Sequence, residues 1–122
     1  MDFQVFNLTL DERFALMELF PHQGNFATLG LIEGLKRELL PDEKDFKELD
    51  IVEIGEGGLK WNVAKDKGRD FEIGPILLGL IYKALNDAEK GDKLNVKYYT
   101  LFKKIAIPRR EAEEAERKKG KK

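Results

Sequence analysis

Apolar residues recur every three or four positions toward both ends of the chain and every second position in the middle, which predicts helices flanking a β segment. The clearest helical stretch is 74–91, where Leu77, Leu80, Ile81, Ala84, Leu85 and Ala88 line one side of a helix. Pro75 suits its first position and Gly91 a left-handed exit. Ile76, Leu78 and Tyr82 lie off that stripe and widen the apolar surface, which makes them candidate contact residues for another polypeptide.

Upstream, 3–6 reads as a short strand, and Thr9 with Glu12 has the capping-box spacing that opens a helix over 10–20. Pro21-His22-Gln23-Gly24 breaks it, and Asn25 caps a second helix over 26–40. Gly30 and Gly34 weaken that helix and predict a close contact with another element. A short third helix starts at Pro41 and runs to Leu49. Period two then takes over in 51–54, 59–63 and 71–73, separated by Gly55-Glu56-Gly57-Gly58 and Lys65-Asp66-Lys67-Gly68. These segments predict a three-stranded antiparallel meander with Val52, Ile54, Leu59, Trp61, Val63, Phe71 and Ile73 on one face. Asp92 or Asn95 caps a last helix ending near Ile105, where Pro108 closes the unit.

The expected fold is therefore α+β: a helical hairpin plus a short third helix, a three-stranded antiparallel β-meander, and two C-terminal helices packed on its apolar face. Residues 1–107 form the single domain and 108–122 a charged, mobile tail. Leu77, Leu80, Ile81, Leu85, Trp61, Phe71, Phe26 and Ile32 are the expected core.

Charge divides the chain unevenly. The net formal charge is −1, but 108–122 carries seven Lys/Arg against four Glu, leaving an acidic body before it. There is no cysteine and no serine, which removes thiolate metal sites, disulfides and the commonest covalent nucleophiles. His22 is the lone histidine and reads as an exposed turn residue, without neighbours to make it a base or ligand. The glycines of 55–58 follow a strand but lead into another strand, so no helix N-terminus receives a phosphate there. Asp42, Glu43 and Asp45 suit a helix start better than a cation site. The expectation is a protein without cofactor or catalysis. With no apolar run of membrane-spanning length and no leader-like N-terminus, the expected compartment is the cytoplasm, with no membrane partner.

Two binding readings remain. Three helices followed by a hairpin with a basic tip, Lys60, Lys65, Lys67 and Arg69, follow the element order of a winged helix, and Arg109, Arg110, Lys118 and Lys119 could add phosphate contacts to a nucleic acid. The candidate reading helices are 26–40, where Glu33 and Glu38 offset Lys36 and Arg37, and 41–49, with Asp42, Glu43, Asp45 and Glu48, and both would meet phosphate unfavourably. Protein contact is the favoured reading, with itself as a homodimer or with another chain, through Ile76, Leu78, Tyr82 and the off-stripe aromatic Tyr99.

The stretches LTLDERFALMELFPHQGNFATLGLIEGLKREL, LKWN, FEIG and LNVKYYTLFKKI together make the chain resemble a group of short phage- and prophage-encoded proteins of unknown function. The resemblance spans 8–105 and leaves the tail outside. It implies a viral setting and a host-cell cytoplasm, and it brings no activity or catalytic residue with it.

Overall fold

The computed structural model describes residues 3–120, with side chains described through residue 118. The element order is β1 (Gln4–Leu8), α1 (Leu10–Leu19), α2 (Phe26–Leu39), a short α3 (Glu43–Glu48), β2 (Val52–Ile54), β3 (Gly58–Lys60), β4 (Arg69–Ile73), α4 (Pro75–Lys90) and one long C-terminal helix over 99–120. The class is α+β as expected, but the sheet is not a meander. It is two separate two-stranded sheets, β1 with β4 and β2 with β3, both antiparallel.

The local helix signals act where they stand. The Thr9 hydroxyl accepts from the Glu12 N–H while the Glu12 carboxylate accepts from the Thr9 N–H. Asn25 caps α2 by accepting from the Thr28 N–H. Asp42, rather than Pro41, begins α3, in a reciprocal cap with Asp45. Pro75 takes the first turn of α4. At the far end the left-handed residue is Asp92, with φ 59°, and not Gly91.

The meander fails because the segment after β3 docks on α1 instead of turning back. Asn62 donates its N–H to the Leu49 carbonyl and accepts from the Ala64 N–H, which curls 63–65 into a 3₁₀ turn. Asp66 then accepts from the N–H of Leu10 at 2.7 Å and from that of Gly68 at 3.0 Å. Gly68 has φ +80° and lies so close to Asn7 that a Cβ would collide with its side chain, so only glycine delivers the chain into β4 here. β4 meets β1 with Phe6 opposite Phe71 and Leu8 opposite Arg69. That register puts Leu8, Phe71 and Ile73 into the main core. Of the small β2–β3 hairpin only Leu59 packs inward, against Leu10, Leu49 and Ile51, while Val52 and Ile54, like Val63 after it, are exposed and not on a shared buried face.

The main core joins Leu16 of α1 and Phe20 just after it, Ile32, Leu35 and Leu39 of α2, Leu77, Ile81 and Leu85 of α4, and Leu101 and Ile105 of the C-terminal helix. A smaller cluster of Leu10, Leu49 and Ile51 holds Trp61 against Phe14. Leu80 and Trp61 are only partly buried. Phe26, expected in the core, is 93% exposed, because it is the first residue of α2 and lies off the stripe formed by Ile32, Leu35 and Leu39.

The closing pair of helices on an apolar sheet face is likewise replaced. α4 sits between α1, α2 and the last helix, and the chain ends in one long helix that passes through Pro108. A π turn over Phe102–Ala106, with the Ile107 N–H donated to the Phe102 carbonyl, widens the helix immediately before the proline. The wider turn relieves the clash and the missing N–H that proline brings to a regular α-helix. Beyond it Arg110 reaches Asn86 and Glu89 of α4, and Glu113 reaches Tyr82.

Candidate binding groove

The free edge of β4 and the side of α2 enclose the most distinctive surface of the molecule. On β1 the Asn7 carbonyl accepts from the Lys104 ammonium, so it faces away from β4, and the ladder bonds run through Gln4–Ile73, Phe6–Phe71 and Leu8–Arg69. On β4 the main-chain groups of Asp70 and Glu72 therefore point outward. Among the described residues no second strand lies beside β4 to receive them.

Across from this edge stands α2. Its buried stripe turns Ile32, Leu35 and Leu39 inward, which leaves Gly30, Leu31 and Gly34 on its flank. A Cβ added at Gly30 or Gly34 would meet nothing within 4 Å, so the close contact expected of these glycines is not made among the described residues. Instead they line a cavity of about 350 Å³ with Leu31, Ile73 and Ile76, which continues at Glu38 and Glu72 into a second of about 400 Å³ beside Arg37 and Asp70. Phe3 packs on Gly74, its ring 3.0 Å from where a Cβ would sit, and closes one end. Phe3, Leu31 and Ile76 are 67%, 46% and 59% exposed around this opening.

The groove is acidic where it is polar. Glu38, Asp70 and Glu72 face Arg37, while Arg69 is held by Asp42 at 3.1 Å and Asp45 at 3.3 Å. The Asp45 N–H and then the Arg69 guanidinium hold the Asp42 carboxyl below the usual aspartate range. A further cavity of about 650 Å³ lies between α1 and the C-terminal helix, over Glu12 and Lys104. Burial pushes the Glu12 carboxyl up, but the Lys104 side chain and the Thr9 N–H together outweigh it and hold the group below its ordinary value.

Of the contact residues expected from the sequence, Ile76 stands at the groove. Leu78 is 5% exposed and belongs to the core, reaching the surface only at the floor of a separate cavity beside Phe6 and Pro108. Tyr82 is half-buried, donates to Glu113 at 2.8 Å and carries Arg109 over its ring at 4.6 Å. Tyr99 is exposed, with Lys103 over its ring. The four do not form one patch.

The basic tip is not formed either. The β2–β3 turn is Gly55-Glu56-Gly57, while Lys60 ends β3, Lys65 lies on the 3₁₀ turn, Lys67 in the following loop and Arg69 on β4. Lys65 pairs with Asp50, Arg69 with Asp42 and Asp45, and Arg110 with Glu89. Lys118 is exposed on the last helix, and the Lys119 side chain lies outside the described residues. Among the described residues no three His, Cys, Asp or Glu side chains converge to hold a metal ion, and no helix is long and apolar enough to cross a membrane.

Compared with protein-family models, curated proteins and solved structures, the chain matches none. Phe3, Leu31, Asp70 and Glu72 were not singled out by sequence reasoning. The paired Gly30 and Gly34 beside Leu31 were the available signal.

Proposed function

We propose that this is a non-enzymatic binding protein that engages another polypeptide through the groove between α2 and β4. The observation that carries the reading is the convergence of exposed Phe3, Leu31 and Ile76 on a wall opened by Gly30 and Gly34, with none of the described residues filling it. Single exposed apolar residues are ordinary on a monomer, whereas several around one concave opening mark a binding surface. Each glycine costs the helix about 1 kcal/mol relative to alanine, and an occupant needing close approach gives that cost a reason. Charge favours a polypeptide over nucleic acid, because the groove carries more carboxylates than free cations and three of the expected phosphate contacts are ion-paired. The viral setting implied by the sequence resemblance belongs to the same proposal, as does action inside the cytoplasm.

The test compares native chain with Leu31→Asp and Ile76→Asp in native co-purification from the producing cell, and on a duplex DNA column at low salt. A polypeptide partner held by the native chain and lost from both variants is the expected result. A partner set unchanged by the variants, or salt-sensitive retention on DNA in place of any polypeptide, overturns it.

A further inference from the structure

We infer that the occupant of the groove is an extended segment of another protein that adds as a third strand to the free edge of β4, with basic residues at alternate positions and apolar residues between them. The inference rests on the reading of the groove as a polypeptide site and names the partner's chemistry and mode of docking.

The main chain supplies the first argument. A strand edge with open N–H and C=O groups is a template for another strand, and proteins that do not use such an edge blunt it with short strands, charged side chains (lysine above all), proline, a bulge or a cover. β1 is treated that way, since the Lys104 ammonium caps the Asn7 carbonyl at 2.8 Å. β4, Arg-Asp-Phe-Glu-Ile, has neither lysine nor proline, no second strand lies beside it among the described residues, and the charges on its outer face, Asp70 and Glu72, are both acidic, which repels an acidic strand and admits a basic one.

Side-chain alternation supplies the second. Phe71 and Ile73 point into the core, while Asp70 and Glu72 are exposed on the opposite face, where Asp70 accepts from Asn7. A strand laid beside β4 continues both faces. Its residues directly opposite Asp70 and Glu72 meet two carboxylates and are matched by lysine or arginine, while the residues between them turn toward Leu31, Gly34 and Ile73. Gly30 and Gly34 keep the helical wall low enough to admit those apolar side chains.

The same charges argue against a second copy of this chain on this edge. A two-fold antiparallel pairing of β4 with itself sets Asp70 of each copy opposite Glu72 of the other, and like charges directly opposite are destabilising.

The probe is a labelled seven-residue peptide alternating lysine and valine, capped at both ends and titrated into the full chain by fluorescence anisotropy. Saturable binding is expected, weakened roughly tenfold or more when the same residues are arranged in two blocks or when glutamate replaces lysine. Strand addition further requires that backbone N-methylation on one alternate set of residues weakens binding by roughly tenfold or more and on the other set does not; antiparallel addition assigns the sensitive set to the lysines. Glu72→Lys, a change on the solvent face, should reverse the preference toward the glutamate peptide, and Gly34→Leu should block both. No saturable binding by the alternating peptide, equal binding of the block peptide, or indifference to both N-methyl sets overturns the inference. If partner capture remains sensitive to Leu31→Asp while the peptides fail, only strand addition falls; if capture ignores Leu31→Asp, the groove reading falls with it.

Discussion

The Arg13 guanidinium lies 3.0 Å from the Asp45 carboxylate, with both side chains withdrawn from water. Two more of its N–H groups are donated to the carbonyls of Leu39 and Leu40, at 2.8 and 3.1 Å, where α2 ends. Asp45 also accepts from the Asp42 N–H and from Arg69 of β4, and both arginines lie 5.0 Å from the Phe71 ring centroid. One buried point thus joins α1, the end of α2, the start of α3 and β4, and it sets the separation of the two walls of the groove.

Arg13→Leu is expected to lower unfolding stability by about 3–5 kcal/mol, because a buried carboxylate loses its best partner and two carbonyls lose their donors. Urea denaturation measures this. The double variant Arg13→Leu with Asp45→Leu should lose less than the sum of the two single changes, since no uncompensated charge is left.

Acid should act through Glu12, which is 3% exposed and accepts from Lys104 at 2.5 Å and from the Thr9 N–H at 3.0 Å. Its carboxyl titrates lower in the folded than in the unfolded chain, so its stabilisation is complete above the unfolded value and is lost as pH falls through the folded one. The native chain should therefore weaken progressively below about pH 5. Glu12→Gln should be less stable near neutrality by about 1–3 kcal/mol and show a flatter acid limb in urea midpoints taken across that range.

Gly34→Ala should raise the thermal midpoint. The added Cβ meets nothing within 4 Å, and alanine favours the helix by up to ~1 kcal/mol. A stability gain together with weaker partner capture would separate the use of this glycine in binding from any use in folding.

Trp61 has a buried indole N–H with no partner among the described residues, and its ring stands 5.8 Å from that of Phe14. Trp61→Phe keeps the aromatic contact and removes the unpaired donor, so chemical denaturation should show a cost under about 1.5 kcal/mol despite the lost volume.

Features decided within one or two turns of chain were legible in the sequence: the Thr9–Glu12 box, the Asn25 cap, Pro75 at the start of α4 and the Leu77–Ile81–Leu85 stripe. Each depends on neighbours only a few residues away, and the backbone chemistry that reads them is the same in any fold. Strand partnership was decided elsewhere. β4 alternates as a meander strand would, but its partner comes from the other end of the chain, with Asn7 opposite Asp70 at a separation of 63 residues. Period two says which residues share a face and does not say which strand lies beside it. The long C-terminal helix likewise depends on a π turn that no residue spacing announces, and the exposure of Phe26 on where α2 overhangs the core. The groove is wholly a tertiary product. Gly30 and Gly34 on α2 and the outward groups of Asp70 and Glu72 on β4 face one another only because a buried arginine joins the two elements, and local sequence carries no term for a contact between distant segments.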